Sequence, residues 1–327
     1  MAGIKDVARE ANVSVATVSR VINKSGTVTK QTEELVMQTI ERLGYKPNLF
    51  GKNLRGSETK IIMILLSSLA NTFCSRVIGA IDKIANENGY YVMICTTDGD
   101  RQKEEHYINF ACNGLFDGII ILNSMLTKEA TVELSKKIPV VQCNEFTDTV
   151  YTPYVSINNE LAAYDAVSLL IKNGRRNIVF YTVKNELLST RERLSGYKRA
   201  LAENGIQFDE KLVVYGNYGY RNAITEFDRF LSKKREFDGV FAVSDRMAAG
   251  AVNVLSEKGI DVPGAVEVIG FDNTDISYTS TPKLTTVAQP HSELGRNAFE
   301  LVLKLIRKEK PESIVLPHKI IRRDSTQ

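Results

Sequence analysis

Apolar residues open the chain at helical spacing. Ile4, Val7, Ala8 and Ala11 recur at i, i+3, i+4 and i+7 and leave Lys5, Arg9 and Glu10 for water, which predicts an amphipathic helix of about two turns. Asn12 to Ser14 break the pattern, and Ser14 is placed to cap a second helix by accepting a bond from the amide of Thr17. In that second helix Val18, Val21 and Ile22 face inward. Val15, Ala16, Ser19 and Arg20 share the other face, where packing gives them little reason to be. Thr29 precedes a third stripe, Leu35, Val36, Thr39, Ile40 and Leu43, set to cover the first two helices before Gly44 stops it. Three helices in so short a stretch give a core too small to be very stable alone. After Pro47 a fourth, short helix is expected from Asn48 to near Gly56, with Leu54 an apolar residue inside a basic linker.

From Lys60 onward the period changes. The runs IIMILL, YYVMICTT, GIIIL, PVVQC, YVSI, NIVFYTV, LVVYG, GVFAVS, VEVIGF and LTTVAQ read as strands. Between them lie amphipathic stretches of helix length such as FCSRVIGAIDKIANENG and DRMAAGAVNVLSEKG, closed by glycines. Ten strands are many for one open sheet, so two doubly wound α/β lobes are expected. The chain should cross between them near Asn158, Gln289 and His318.

Charge changes the meaning of the N-terminal pattern. Two short helices joined by a turn occur in many proteins, but here residues 1–60 hold ten Lys or Arg against six acids, a net of +4 in a chain whose total is +3. The remainder nets −1. A positive excess confined to a helix-turn-helix is the footprint expected of a phosphate-binding surface, with the second helix entering a DNA major groove N-terminus first. On that reading Val15 and Ala16 meet base edges, and Arg20 takes a guanine through two hydrogen bonds. Ser14, Thr17, Ser19, Asn23 and Tyr45 lie at or near phosphate.

Other chemistry is sparse. Cys74, Cys95, Cys112 and Cys143 have no paired spacing, and His106, His291 and His318 are as scattered, so buried free thiols are expected and neither a metal nor a cofactor. No run approaches eighteen apolar residues and the N-terminus is a charged helix, which predicts a cytoplasmic protein with no membrane partner.

The run IKDVAREANVSVATVSRVIN, then LGYKPN and a leucine six residues beyond its asparagine, resembles the lactose/galactose repressor family of bacterial transcription regulators. RLSGYKRAL at Arg193, SDRMAAGA at Ser244, VIGFDN at Val268 and LTTVAQP at Leu284 match that family's effector-binding core in order and spacing. The resemblance covers essentially the whole chain. It implies a small all-α helix-turn-helix domain (1–46), a hinge helix and linker (47–59), and a two-lobed α/β core like periplasmic sugar-binding proteins (60–327). Its N-lobe would be about 60–158 with 290–318, and its C-lobe 159–289 with 319–327. It also implies a homodimeric repressor of carbohydrate-metabolism genes, bound to a near-palindromic operator and controlled by a sugar or sugar phosphate. Asn48 would lie at the DNA, and Leu54 would wedge a minor-groove base step unless it merely packs on its own helix.

Ligands of doubly wound sheets bind at the carboxyl ends of the strands, which points to Asn71, Phe73, Ser244, Asp245, Arg246, Asp272 and Asn273, completed by Asn158, Arg193 and Gln289. The resemblance makes Arg193 and Asp272 paired effector contacts and stacks Phe73 on a sugar face. Structural alternatives stand beside these: an exposed charge for Arg193, a helix cap for Asp272, a crossover-backbone partner for Gln289. Three departures from the family pattern matter. SSLANTF replaces the usual prolines after the first strand, Asn158 stands where aspartate is common, and Gly51-Lys52 replaces an Ala-Arg pair. The glycine lowers helix propensity by roughly 1 kcal/mol, which predicts a hinge helix poorly ordered off DNA. A protein co-regulator, as in the carbon-catabolite members, is a rival; it expects a basic residue where Glu300 stands. An enzyme is the weakest rival, for no nucleophile-and-base pair or phosphate loop accompanies the acids.

Overall fold

The computed structural model describes residues 2–23, 25–26, 28–45, 58–123, 126–147, 152–185 and 187–327. The expected hinge helix, with Asn48, Gly51 and Leu54, lies outside them. Two compact units divide the chain, Met1–Lys60 and Ile61–Gln327.

The first unit holds α1 (Ile4–Glu10), α2 (Val15–Asn23) and α3 (Lys30–Arg42). Ser14 caps α2 as expected, its Oγ accepting from the Thr17 amide at 3.0 Å. Thr29 caps α3 through the Thr32 amide. Val7, Ala8, Ala11, Val18, Val21 and Val36 form the buried centre. Leu35 does not join them; it is 47% exposed. Its neighbour Val36 takes the inward position, and at 100° per residue the helix cannot bury both against the same small partner face. Thr39 is buried in the stripe because its hydroxyl is satisfied locally, donating to Leu35 O at 2.8 Å. Gly44 ends the helix at φ +58°, a left-handed conformation that costs glycine nothing.

Two six-stranded sheets build the second unit. The first contains β1 (Ile61–Leu66), β2 (Tyr91–Thr96), β3 (Gly118–Leu122), β4 (Val140–Cys143), β5 (Tyr154–Ile157) and β11 (Ile314–Leu316). Their order is β11-β5-β4-β3-β1-β2. The second contains β6 (Ile178–Val183), β7 (Val213–Gly216), β8 (Gly239–Ala242), β9 (Glu267–Phe271), β10 (Thr285–Ala288) and β12 (Lys319–Ile321), in the order β12-β10-β9-β8-β6-β7. Every pairing is parallel except β10 with β12. All ten strands expected from the apolar runs form; β11 and β12, three residues each, are additional because so short a run carries no readable period.

The chain passes between the sheets three times, after Ile157, after Ala288 and between Leu316 and Lys319. Each lobe is thereby closed by a strand that arrives late in the sequence. Apolar clusters cover both faces of the first sheet, and a larger one surrounds the second. In the second lobe the helices Asn159–Lys172 and Leu188–Glu203 meet at Gly196, where an added Cβ would fall 2.1 Å from Glu160 O. Only glycine allows that approach.

Candidate functional site

In the first unit α2 presents Ala16 and Arg20 to solvent, while Val18 and Val21 are buried against α1 and α3. Val15 is only half free. It packs partly on the same cluster, as does Tyr45. The Arg42–Glu10 ion pair at 3.0 Å joins α3 to α1, and Arg9 pairs with Asp6 at 2.8 Å. Arg20 takes part in no ion pair among the described residues. The exposed edge of α2 therefore keeps a small apolar N-terminal end, through Ala16 and part of Val15, followed one turn later by an uncommitted guanidinium. That shape admits close backbone approach to a groove.

In the second unit the sheet orders place a reversal between β1 and β3 and another between β6 and β8. At such switch points the loops leave in opposite directions and open a crevice. Here the two crevices share one cavity of about 180 Å³. Ser67, Asn71 and Phe73 follow β1, Asn123 follows β3, and Asn144 with Glu145 follows β4. From the other lobe come Ser189 and Arg193, then Tyr218, Arg246, Asp272 and Gln289, which follow β7 to β10. A second cavity of about 280 Å³ adjoins it through Ser67, Asn123, Glu145 and Leu187.

Asp272 is turned into this space by the backbone. It stands at φ +100° and Asn273 at +54°, two successive left-handed residues at the end of β9, a cost that non-glycine residues bear mainly at functional sites. It caps no helix. Gln289 Nε2 donates to Asp272 Oδ1 at 2.7 Å, so the glutamine serves the carboxylate rather than the crossover backbone. Arg193 is buried at 4% exposure. Its Nε donates to Asn159 Oδ1 at 3.0 Å and its Nη1 to Val243 O at 2.9 Å, and its guanidinium lies 3.7 Å from the Phe271 ring centroid. Burial pushes the Asp272 carboxyl above its ordinary range, and the Arg193 charge with the Gln289 bond pulls it back.

Phe73 is buried on the cavity wall with its ring 5.3 Å from that of His291. Asn71 caps the helix Thr72–Glu87 by accepting from Phe73 N at 3.0 Å, so the SSLANTF loop still delivers both residues. Ser244 caps the helix Asp245–Glu257 and, with Asp245, borders a small recess beside Asp272. Asp245 accepts from Thr274 N at 2.6 Å, from Thr274 Oγ1 at 2.9 Å and from Thr286 Oγ1. Burial and then the Asp272 charge push its carboxyl up to about 7.

Asn158 is not part of the cavity. It is exposed and caps the helix Asn159–Lys172 through the Leu161 amide at 2.8 Å, while the next residue, Asn159, turns inward to Arg193. Sequence reasoning missed Asn144, Glu145 and Ser189, and it placed Arg246 correctly at the cleft. The rule that found Asp272, polar residues just past strands, also reaches Asn144 and Glu145 after β4. Glu145 accepts from Ser189 N at 3.1 Å and from Ser189 Oγ, joining the lobes; burial raises its carboxyl and these bonds oppose the rise. Two amide oxygens on the cavity residues, Asn144 Oδ1 and Gln289 Oε1, are buried with no partner among the described residues. Each is an acceptor left for a donor.

A family described as bacterial regulatory proteins, lacI family, matches residues 3–48, and one described as a periplasmic binding protein-like domain matches residues 167–326. Catabolite control protein A of Priestia megaterium is 37% identical over 328 residues, covering 99% of each chain. This chain belongs to the lacI family. The solved Lac repressor dimer bound to operator and the anti-inducer ONPF superposes with a TM-score of 0.88 at 25% identity, over 99% of each chain. The transcriptional regulator CelR in complex with cellobiose does so with a TM-score of 0.75 at 28% identity, over 99% of this chain and 100% of that one.

The lacI-family chain is accordingly a ligand-responsive, DNA-binding transcription regulator, and its fold is a helix-turn-helix with a two-lobed α/β core. No group of potential metal ligands occurs among the described residues, and no described helix is long and apolar enough to cross a membrane. Cys74, Cys95 and Cys143 are buried free thiols and Cys112 is partly buried. Glu300 is exposed on the helix His291–Ile306, with exposed Arg296 and Lys304 one turn to either side. Glu300 thus stands between two basic side chains on that face.

Proposed function

We propose that this regulator represses carbohydrate-metabolism genes by binding a near-palindromic operator as a homodimer, under control of a small polyhydroxylated effector of the sugar class. The observation that carries the effector reading is the pair of partnerless buried acceptors, Asn144 Oδ1 and Gln289 Oε1, beside Asp272 and Arg193 in one cavity. Such acceptors and a carboxylate ask for several hydroxyl donors, and the Phe73 wall offers an apolar face. The complex of CelR with cellobiose supports the class.

The bonds that cross the cleft supply the coupling. Glu145 with Ser189, Arg246 Nη1 with Ala70 O at 2.9 Å, and Arg76 Nη1 with Asn273 O at 3.3 Å hold one lobe to the other. A ligand that binds one closure better shifts the lobe angle, and the shift passes through the hinge and linker, residues 47–59, to both recognition helices. Ala16 and Val15 meet thymine methyls, Arg20 takes a guanine, and Ser14, Thr17, Ser19, Asn23, Tyr45 and Asn48 position on the backbone, with Leu54 wedging a minor-groove step. Dimerisation fits the edge strand β2, where Tyr91, Met93 and Ile94 are 61%, 39% and 43% exposed. A cytoplasmic location fits the DNA-binding role, and no catalytic role is assigned to the cleft.

Removing residues 1–57 tests the division of labour. Operator binding should vanish while a dimer persists and thermal shifts with sugars remain. Loss of the sugar response together with DNA binding would overturn it. In the full chain, Arg20→Ala should cost about 1–3 kcal/mol at one base pair and relax preference there. An equal loss on every sequence variant reassigns Arg20 to phosphate.

A further inference from the structure

The helix Leu188–Glu203 starts without a cap of its own. Asn71, Asn158 and Ser244 each close the first turn of the helix that follows them, but here the place is held by Leu187, extended as a cap should be (φ −65°, ψ 144°) and with no side chain able to accept a bond. The acceptor comes from the opposite lobe. Glu145, just past β4, takes the Ser189 amide on Oε2 at 3.1 Å and the Ser189 hydroxyl on Oε1, and the Leu188 amide also donates to its carboxylate. Glu145 thus pairs N–H groups that a helix start leaves without partners, and it sets a negative charge at the positive end of a sixteen-residue helix dipole. Glu145 and Ser189 are 6% and 3% exposed, so water does not compete for these charge-assisted bonds.

The two other links named above are weaker in kind. Arg246 Nη1 ends on the carbonyl of Ala70, and Arg76 ends on the carbonyl of Asn273 and on Asp275, whose side chain is 82% exposed. An ion pair open to water contributes little. Separation of the lobes would strip the helix Leu188–Glu203 of its acceptor, and one turn beyond Ser189 stands Arg193, whose position that first turn sets. A carboxylate and a helix end satisfy each other without a third molecule, so closure needs no ligand. Glu145 lines both cavities, and a molecule that fills the two must move it.

We propose that Glu145 is a built-in ligand of the cleft, a carboxylate of the N-lobe that caps the C-lobe helix Leu188–Glu203 and holds the ligand-free protein closed. It is a positioning residue, acting through the first turn of the helix that carries Arg193. The inference deepens the closure step of the function proposed above, and it rests on that reading only for its effect at DNA.

The test uses the full-length, ligand-free protein. Amide exchange reads the first turn of the helix, residues 188–190, and hydroxyl-radical footprinting reads Phe73 and Tyr218, which line the cavity from opposite lobes. In Glu145→Ala the first-turn amides should exchange about tenfold faster or more, and oxidation of both rings should rise. Glu145→Gln, with one acceptor and no charge, should fall between. The deciding variant adds Leu187→Ser to Glu145→Ala, which gives the helix a cap from its own chain. Slow amides with both rings still oxidised support the latch, since a local cap repairs the helix and not the closure. Rings protected again in the double variant mean that Glu145 is only a cap, and they overturn the proposal, as do rings unchanged in Glu145→Ala. An opened cleft with unchanged affinity for a duplex selected by the wild-type protein from a random pool supports the latch and overturns the coupling to DNA instead.

Discussion

Replacing Arg193 with methionine separates its structural from its binding role, because methionine keeps much of the apolar stem and removes only the charged head. The substitution deletes the donors to Asn159 Oδ1 and Val243 O, bonds of the charged class worth about 1.5–3 kcal/mol each. It also strips Asp272 of the cation that holds its buried carboxyl down. The two lost bonds set a loss of about 3–6 kcal/mol near pH 8. The sign of the pH dependence follows from the carboxylate. Without Arg193 the folded-state pKa of Asp272 rises further above its unfolded value, so the folded variant holds a proton the unfolded chain has released. Its stability is then lost as pH rises above about 4, the ordinary carboxylate value. The chain has no tryptophan, so urea unfolding is followed by far-ultraviolet circular dichroism at one fixed protomer concentration. The gap between wild type and variant should be wider at about pH 8 than at about pH 5. A loss under about 1 kcal/mol, or one identical at both pH values, would mean that Arg193 is solvated and that Asp272 does not depend on it.

Asp245 gives a second pH signature. Its folded carboxyl lies up at about 7 against an ordinary value of 3.8, so the stability it contributes at low pH is lost as pH rises between those values. Asp245→Asn should gain on wild type across that window in thermal melts; parallel melting curves for the two proteins would show Asp245 ionised throughout. Gly196→Ala should lower the melting temperature despite a helix-propensity gain of about 1 kcal/mol, because its Cβ would sit 2.1 Å from Glu160 O and 2.9 Å from Tyr164 N. The overpacking penalty is about 1–3 kcal/mol or more, and a stabilised variant would mean the two helices separate freely.

Much of the cleft was legible because strand period and loop position fix which residues stand at carboxyl ends. Asn71, Phe73, Arg246 and Asp272 were found by that rule and converge on one cavity. Asn158 obeyed the same rule and failed, since its side chain was taken by the amide of Leu161. A cap and a ligand contact share one residue type and one position past a strand, and only the direction of the following turn separates them.

The local pattern of this chain determined its elements. The i, i+3, i+4 stripes, the Ser14 and Thr29 caps and the ten apolar runs need only neighbours within one or two turns to exert their effect. The sequence also determined where positive charge gathers, since charge is carried residue by residue. Tertiary structure decided what those elements meet. β11 and β12 exist because β5 and β10 offer them unpaired edges, and Glu145 reaches Ser189 across 44 residues of chain. Arg246 likewise reaches Ala70 O across 176 residues. Periodicity reports which side of an element avoids water, whereas pairing between lobes depends on distances the one-dimensional order does not contain.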